Sequence, residues 1–242
     1  MIRITKNIFI LILLSVLIMP MSSQIVRGKI VYERKTNLFK KYKDSYVLEW
    51  LKESDKNKLD VFELYFNDSL SVFKPQESDL REEMSWATSK NVVYQNKKSN
   101  KRLSIKKVWG EELYLTDSLY QRQWKITDKQ RTICGYRCRK AIWQPNDSTH
   151  IYAWYCDEII TSTGPESYYG LPGAILGLAS EDGGVIYFAK SVEISSPDVL
   201  TMQAPKTKKK IYTNAELRSQ LERDFGKEKW GKEMIKNVFG YW

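Results

Sequence analysis

Short runs rich in Val, Ile, Tyr, Phe and Trp recur along the chain between polar breaks, the pattern expected of β-strands. They fall at 28–35, 45–51, 59–67, 69–74, 91–95, 101–108, 111–116, 122–127, 132–143, 151–159, 174–179 and 184–194. Asn67-Asp68 turns one run into Ser69-Leu70-Ser71-Val72-Phe73, and Asp182-Gly183-Gly184 is a hairpin signal. Strands and helices do not alternate, so the sheet is expected to be antiparallel. A helical period appears only at the end, where Leu217, Leu221 and Phe225 recur every four residues behind a capping Asn214. Gly226 and Gly231 are expected to divide that tail into two short helices, the second carrying Trp230, Met234 and Val238. Residues 205–210 read as a linker, and 79–86 fits either a helical turn or a loop. The predicted fold class is mainly β (β-rich α+β): a curved antiparallel sheet or half-barrel with a short C-terminal helical tail.

The first residues do not belong to this pattern. Arg3 and Lys6 precede an apolar run from Ile8 to Met19, with Ser15 its one polar residue, followed by Pro20-Met21-Ser22-Ser23. This is the layout of a secretory signal peptide, too short for a comfortable membrane span. The domain organisation is therefore read as a signal peptide over 1–23, a β-rich domain over 24–204, and a linker with a helical tail over 205–242. Export to the periplasm or outer membrane, or secretion, is the expected localisation. The formal charge is +10, and +8 once Arg3 and Lys6 are removed, which suits an acidic surface such as lipid headgroups or polyanionic glycans, although the basic residues are dispersed apart from the run at 206–210. Export argues against nucleic acid as a partner, and no segment after residue 23 reads as an integral membrane span.

Three cysteines then enter an oxidising compartment. The run over 132–143, read as one strand, places Cys134, Tyr136 and Cys138 on one face, with Cys134 and Cys138 roughly 13 Å apart at ~3.3 Å per residue. That distance excludes a bridge between them. A turn at Pro145-Asn146-Asp147-Ser148, taken symmetrically about position 147, sets Cys138 opposite Cys156, Lys140 opposite Trp154 and Trp143 opposite Ile151. A Cys138–Cys156 disulfide with Cys134 free is the resulting expectation, and Cys134–Cys156 is the competing pair. Three Cys and a lone His150 do not give zinc-ligand spacing, so no metal and no cofactor is expected.

The most distinctive stretch is Gly164-Pro165-Glu166-Ser167-Tyr168-Tyr169-Gly170-Leu171-Pro172-Gly173-Ala174-Ile175-Leu176. Leu171-Pro172-Gly173 reads as a β-turn, proline fixing φ and glycine accepting φ > 0. Ala174-Ile175-Leu176 reads as a buried strand, with Gly177 marking a bulge or a close backbone approach. Gly164, Pro165, Gly170, Leu171, Pro172 and Gly173 are assigned an architectural role. The glycine spacing is neither a phosphate loop nor a dinucleotide fingerprint, and no Ser sits in a G-x-S-x-G elbow.

Taken with Ile133-Cys134-Gly135-Tyr136-Arg137-Cys138-Arg139-Lys140-Ala141 and Ala153-Trp154-Tyr155-Cys156-Asp157-Glu158-Ile159, this stretch resembles the GLPGLI family of exported proteins found in Bacteroidota. Ala174 departs from that family's usual leucine. The resemblance implies an exported, envelope-associated protein, often encoded beside outer-membrane transport machinery, and carries no catalytic residue with it.

Two function classes stay open on the residues. In the binding class, Tyr152, Trp154, Tyr168 and Tyr169 are the candidate ligand contacts, for a lipid or peptide, with an outer-membrane transporter or envelope protein as a further partner. In the enzyme class, Glu158 and Glu166 could converge across the Gly164-Pro165 bend as a glycan- or peptide-directed hydrolase. No residue is assigned as catalytic, and the non-enzymatic reading is preferred.

Overall fold

The computed structural model describes residues 24–77, 83–108 and 110–240. The expected signal peptide therefore lies outside the described residues. Twelve strands form one open sheet: β1 (Gly28–Asn37), β2 (Asn57–Phe66), β3 (Leu70–Pro75), β4 (Val92–Asn96), β5 (Lys101–Val108), β6 (Glu111–Ser118), β7 (Lys125–Ile133), β8 (Tyr136–Asn146), β9 (Thr149–Cys156), β10 (Ala174–Ser180), β11 (Val185–Glu193) and β12 (Ile211–Thr213). Their order across the sheet is β12-β6-β5-β4-β3-β2-β1-β11-β10-β9-β8-β7. Two antiparallel meanders are thus joined where β1 pairs with β11. β12 alone pairs in parallel, along β6.

The connectivity forces the sheet to curl. β6 stands second in the order and β7 twelfth, so a flat sheet would hold them roughly 48 Å apart at ~4.8 Å per strand. Residues 119–124 join the two strands, and such a link reaches only about 25 Å. The strands must therefore bend round towards each other. The expectation of a mainly β fold, a curved antiparallel sheet or half-barrel with a short helical tail, is met by one open sheet.

Period-two alternation sends one set of side chains into the hollow. On β1 and β2 that set is Ile30, Tyr32, Arg34 and Thr36 with Lys58, Asp60, Phe62, Leu64 and Phe66, all buried. Ring contacts knit the core: Phe62 stacks on Phe73 at 4.8 Å between centroids, and Tyr187 meets both rings at 6.0 and 6.2 Å. The segment 161–171 runs into the hollow, with Thr163, Glu166, Tyr168 and Leu171 buried, and Tyr32 Oη donates to the Ile175 carbonyl at 2.7 Å.

A four-residue helix, α1 (Leu38–Lys41), follows β1. The tail forms two helices, as expected, α2 (Asn214–Phe225) and α3 (Lys229–Val238). The cap is Thr213 rather than Asn214, in a reciprocal capping box with Glu216. Gly231 lies inside α3 instead of breaking the tail. Leu217, Leu221, Ile235 and Val238 pack against Leu115 of β6, so the helices are fastened to the sheet.

Four local expectations are corrected. Residues 45–51 are not a strand: Tyr46–Trp50 is a 3-10 helix, capped where Ser45 Oγ accepts from the Val47 amide. Val47 and Leu51, four apart, pack on Leu38, Tyr42 and Ala87, a helical spacing that β-propensity had masked. The run 132–143 is a hairpin with Cys134-Gly135 at its tip, both at positive φ (51° and 83°), and Ile133 pairs with Tyr136. Cys134 therefore shares no strand face with Cys138. At Leu171-Pro172-Gly173 the Gly173 amide donates to the Leu171 carbonyl at 2.8 Å, a three-residue γ-type turn rather than a β-turn. Residues 122–124 belong to the connector, since β7 begins at Lys125.

The hairpin register of β8 and β9 is the predicted one: Lys140 faces Trp154 and Trp143 faces Ile151. Cys138 and Cys156 nevertheless carry separate thiols, as does Cys134, which overturns the disulfide. The β8–β9 ladder ends one step earlier, at Arg139↔Tyr155, and Cys156 pairs on its other side with Ala174 of β10. Cys138 Sγ turns to the Tyr136 carbonyl at 3.6 Å, and Cys134 Sγ donates to the Ala189 carbonyl at 3.1 Å. Burial pushes the Cys138 thiol up to about 12.

Candidate functional site

The inward stripe of β1 and β2 becomes charged where it leaves the aromatic core. Arg34 and Asp60 are opposite one another, and the Arg34 guanidinium donates to Asp60 Oδ2 from Nη2 at 2.6 Å and from Nε at 3.2 Å. Lys58 and Lys90 approach Asp60 Oδ1 at 3.4 and 3.8 Å, and Thr88 donates to Oδ2 at 2.9 Å. On the other side of Arg34 lies Glu166, 4.0 Å from Nη1. Its carboxylate accepts from Tyr187 Oη at 2.9 Å and Asn91 Nδ2 at 3.1 Å. Glu166 holds φ +54°, a strained value for a side chain of this kind, sustained by those three partners.

Two adjoining cavities flank this cluster. The larger, about 960 Å³, lies between α1, the β10–β11 turn and the C-terminal helices. Arg34, Lys40 and Lys41 face it from the sheet side; Arg218, Lys227, Lys232 and Lys236 face it from the helices. Among the described residues only Asp182 and Glu222 bring negative charge, and Val185, Ile235 and Phe239 supply apolar wall. Lys41 Nζ donates to the Ala87 carbonyl at 2.9 Å. Burial, aided by repulsion from Arg34, brings this ammonium down to about 8.

The smaller cavity, about 380 Å³, is lined by Arg102, Lys106 and Arg122 and shares Arg218, Phe239 and Gly240 with the larger one. β6 and β8, at opposite ends of the strand order, contribute Leu115 and Trp143 to the same wall. That is the direct geometric outcome of the curl. Arg122, on the connector, lies with its guanidinium carbon 4.1 Å from the Tyr168 ring centroid and 5.0 Å from that of Trp143. Nη1 donates to the Ser167 carbonyl at 2.9 Å. Burial lowers the pKa of Arg102, Lys106 and Arg122 alike.

The four aromatic candidates are not brought together. Tyr168 is buried and lines the smaller cavity. The carbonyl of Tyr169 accepts from Trp124 Nε1 at 3.1 Å. Tyr152 and Trp154 point to the outer face of the sheet, where Lys140 sits 3.5 Å from the Tyr152 ring and Arg131 5.0 Å from that of Trp154. Tyr155, pointing the opposite way, is buried. His150 pairs with Glu181 at 2.8 Å on the surface. Glu166 lies in the ion cluster, whereas Glu158 lines neither cavity. Among the described residues no group of His, Cys, Asp and Glu could hold a metal ion, and no helix is long and apolar enough to cross a membrane.

Sequence reasoning missed the cationic lining. Its signal lay in Arg34, Arg102 and Lys106, cationic side chains at inward positions of β1 and β5. A Cβ on Gly173, at φ +153°, would stand 2.0 Å from the Cys156 carbonyl oxygen, and one on Gly164 would stand 2.9 Å from the Ile175 Cβ.

Comparison with known proteins agrees with an architecture better defined than its activity. A family described as "Protein of unknown function (Porph_ging)" matches residues 144–177, the span from the β8–β9 turn through the Pro-Gly stretch. No curated protein matches the chain. Two structures of PNGF-II, in C2 and P21 crystal forms, are similar with TM-score 0.53 each, at 18% and 16% identity, covering 87% and 80% of this chain. The chain spans about a third of the PNGF-II length, 32% in both cases. At this identity the likeness concerns the fold alone, and the family match ends within β10, on the stretch that fills the hollow.

Proposed function

We propose that this protein is an exported, non-enzymatic binding protein of the cell envelope. In this reading its larger cavity takes an anionic ligand of a few hundred daltons that has some apolar surface. The lining of that cavity carries the proposal: seven cationic side chains face two acids around an opening of about 960 Å³, near the upper end of the range for small-molecule sites. Arg34 is committed to Asp60 and Lys40 to the Asp182 carbonyl. Lys227, Lys232 and Lys236 come from exposed positions on the helical side, where they can meet an incoming anion. Val185, Ile235 and Phe239 offer its apolar part a wall. The Pro-Gly stretch acts as the filler that keeps the hollow from collapsing, and the GLPGLI-like pattern together with the leader-like N-terminus supports work in the envelope, beside an outer-membrane partner.

Native mass spectrometry of gently purified protein tests this. An added mass of a few hundred daltons is expected, and the charge-reversed variant Lys232→Glu/Lys236→Glu should lose it. A chain at its bare mass, or an adduct indifferent to the charge reversal, would overturn the reading.

A further inference from the structure

We propose that the smaller cavity is a binding site for a single oxyanion group, a carboxylate or a phosphate, held by Arg122, Lys106 and Arg102. The site does not depend on the larger cavity being a ligand chamber. It rests on an imbalance of buried charge and on a cation already fixed in place.

Arg122 is 8% exposed, and its guanidinium is wedged against Tyr168 and Trp143. Its recorded acceptors are both neutral: the Ser167 carbonyl at 2.9 Å and Ser167 Oγ at 3.4 Å. The Nε atoms of Arg122 and Arg102 are buried and have no acceptor at all. Lys106, on the neighbouring wall, donates its ammonium to the Val238 carbonyl. A buried cation without an acid is costly, and such a charge is ordinarily paired.

Among the described residues, neither acid on the cavity wall forms an ion pair with Arg122 or Lys106. Glu166 is engaged by Asn91, Tyr187 and Arg34. Asp117 is 41% exposed at the rim, 3.5 Å from Arg102 Nη2, and accepts from Asn214 Nδ2 at 2.5 Å. Arg122 and Lys106 are thus left facing about 380 Å³ of space, enough for a tetrahedral or planar oxyanion and a few waters. Guanidinium groups bind such oxygens through paired N–H donors, and a flanking ammonium adds a point charge. The aromatic bed fixes Arg122 beforehand, so little side-chain freedom is lost on binding.

Inorganic phosphate and acetate are the probes. At constant ionic strength, replacing chloride by either anion is expected to raise the Tm of the full chain, and calorimetry should give a saturable isotherm. Lys106→Met should weaken that binding at least tenfold, and Arg102→Gln should weaken it in the same direction. Lys190→Met, on the outer face, should not change it. A response to phosphate but not acetate assigns the site to phosphate; a response to acetate alone assigns it to carboxylates. No response to either anion, or the same response in Lys106→Met as in the wild type, would overturn the proposal. Phosphate binding retained in Lys232→Glu/Lys236→Glu separates this site from the larger cavity.

Discussion

Arg34 and Asp60 face each other across β1 and β2 with Nη2 and Oδ2 2.6 Å apart, both side chains almost wholly removed from solvent at 3% and 0% exposure. The pair sits where the inward stripe stops being aromatic and starts to line a cavity. Arg34 also lies over Phe62, 4.7 Å from the ring centroid, so its flat face is covered while its edge is hydrogen-bonded. Such a pair is weak evidence for net stability, because desolvation offsets most of the attraction. Its loss on one side is another matter.

Asp60→Ala removes the carboxylate opposite buried Arg34, which also lies 3.4 Å from Lys58 and 3.8 Å from Lys90. The expected cost is about 4 kcal/mol, read as a lowered urea midpoint at an unchanged slope. A loss below about 1 kcal/mol would show that water reaches the cluster and compensates it.

Gly173 and Gly183 both adopt positive φ but differ in surroundings. An added methyl at Gly173 meets the Cys156 carbonyl carbon and oxygen, whereas at Gly183, φ +68°, nothing lies within 4 Å. Gly183→Ala should therefore cost about 1 kcal/mol, the backbone strain alone. Gly173→Ala should cost about 3 kcal/mol or more, since backbone must shift to admit it. Equal costs in chemical denaturation would contradict the packing argument.

Lys97 makes stability depend on pH with a definite sign. Burial brings its ammonium down to about 8 in the folded chain, against the usual ~10.4 when unfolded. Between these values the unfolded chain binds more protons, so this group's contribution to stability rises with pH. Burial pushes the thiols and Tyr42 up, Tyr42 to about 12, and these act in the opposite sense at higher pH, so the comparison is made against a variant. From pH 7 to 9.5 the wild type should gain about 1 kcal/mol on Lys97→Met, below the ~1.4 kcal/mol per pK unit of a fully shielded group. No relative gain, or a loss, would mean that the ammonium is solvated.

Thiol counting separates the three cysteines. Cys134 is exposed on its hairpin tip, and Cys138 and Cys156 are buried. A maleimide should label one site in the native protein and three after denaturation without reductant. A denatured count of one would reveal a Cys138–Cys156 bridge that the structure does not contain.

The parts of the fold governed by short-range chemistry were legible. Pro145 to Ser148 gave the β8–β9 register down to individual pairs, and Gly177 announced the irregularity between Ile175 and Gly177. Both depend on neighbours a few residues away. The Cys134-Gly135 tip was hidden because alternation continues through it, and only the glycine hinted at a reversal. β12 was hidden because three residues pairing in parallel with β6 leave almost no periodic trace. The site was harder still. Nothing local to Arg122 foretells that a connector residue will rest on Tyr168, since that contact exists only after a twelve-stranded sheet has curled.

The pairing of β1 with β11 joins Ile30 to Val192 and Thr36 to Val185. Each of these contacts closes a loop of about 150 residues or more. Such distant partners make for slow renaturation. Each meander can form locally beforehand, but the hollow with its cationic walls comes into being only when the first strand and the eleventh meet.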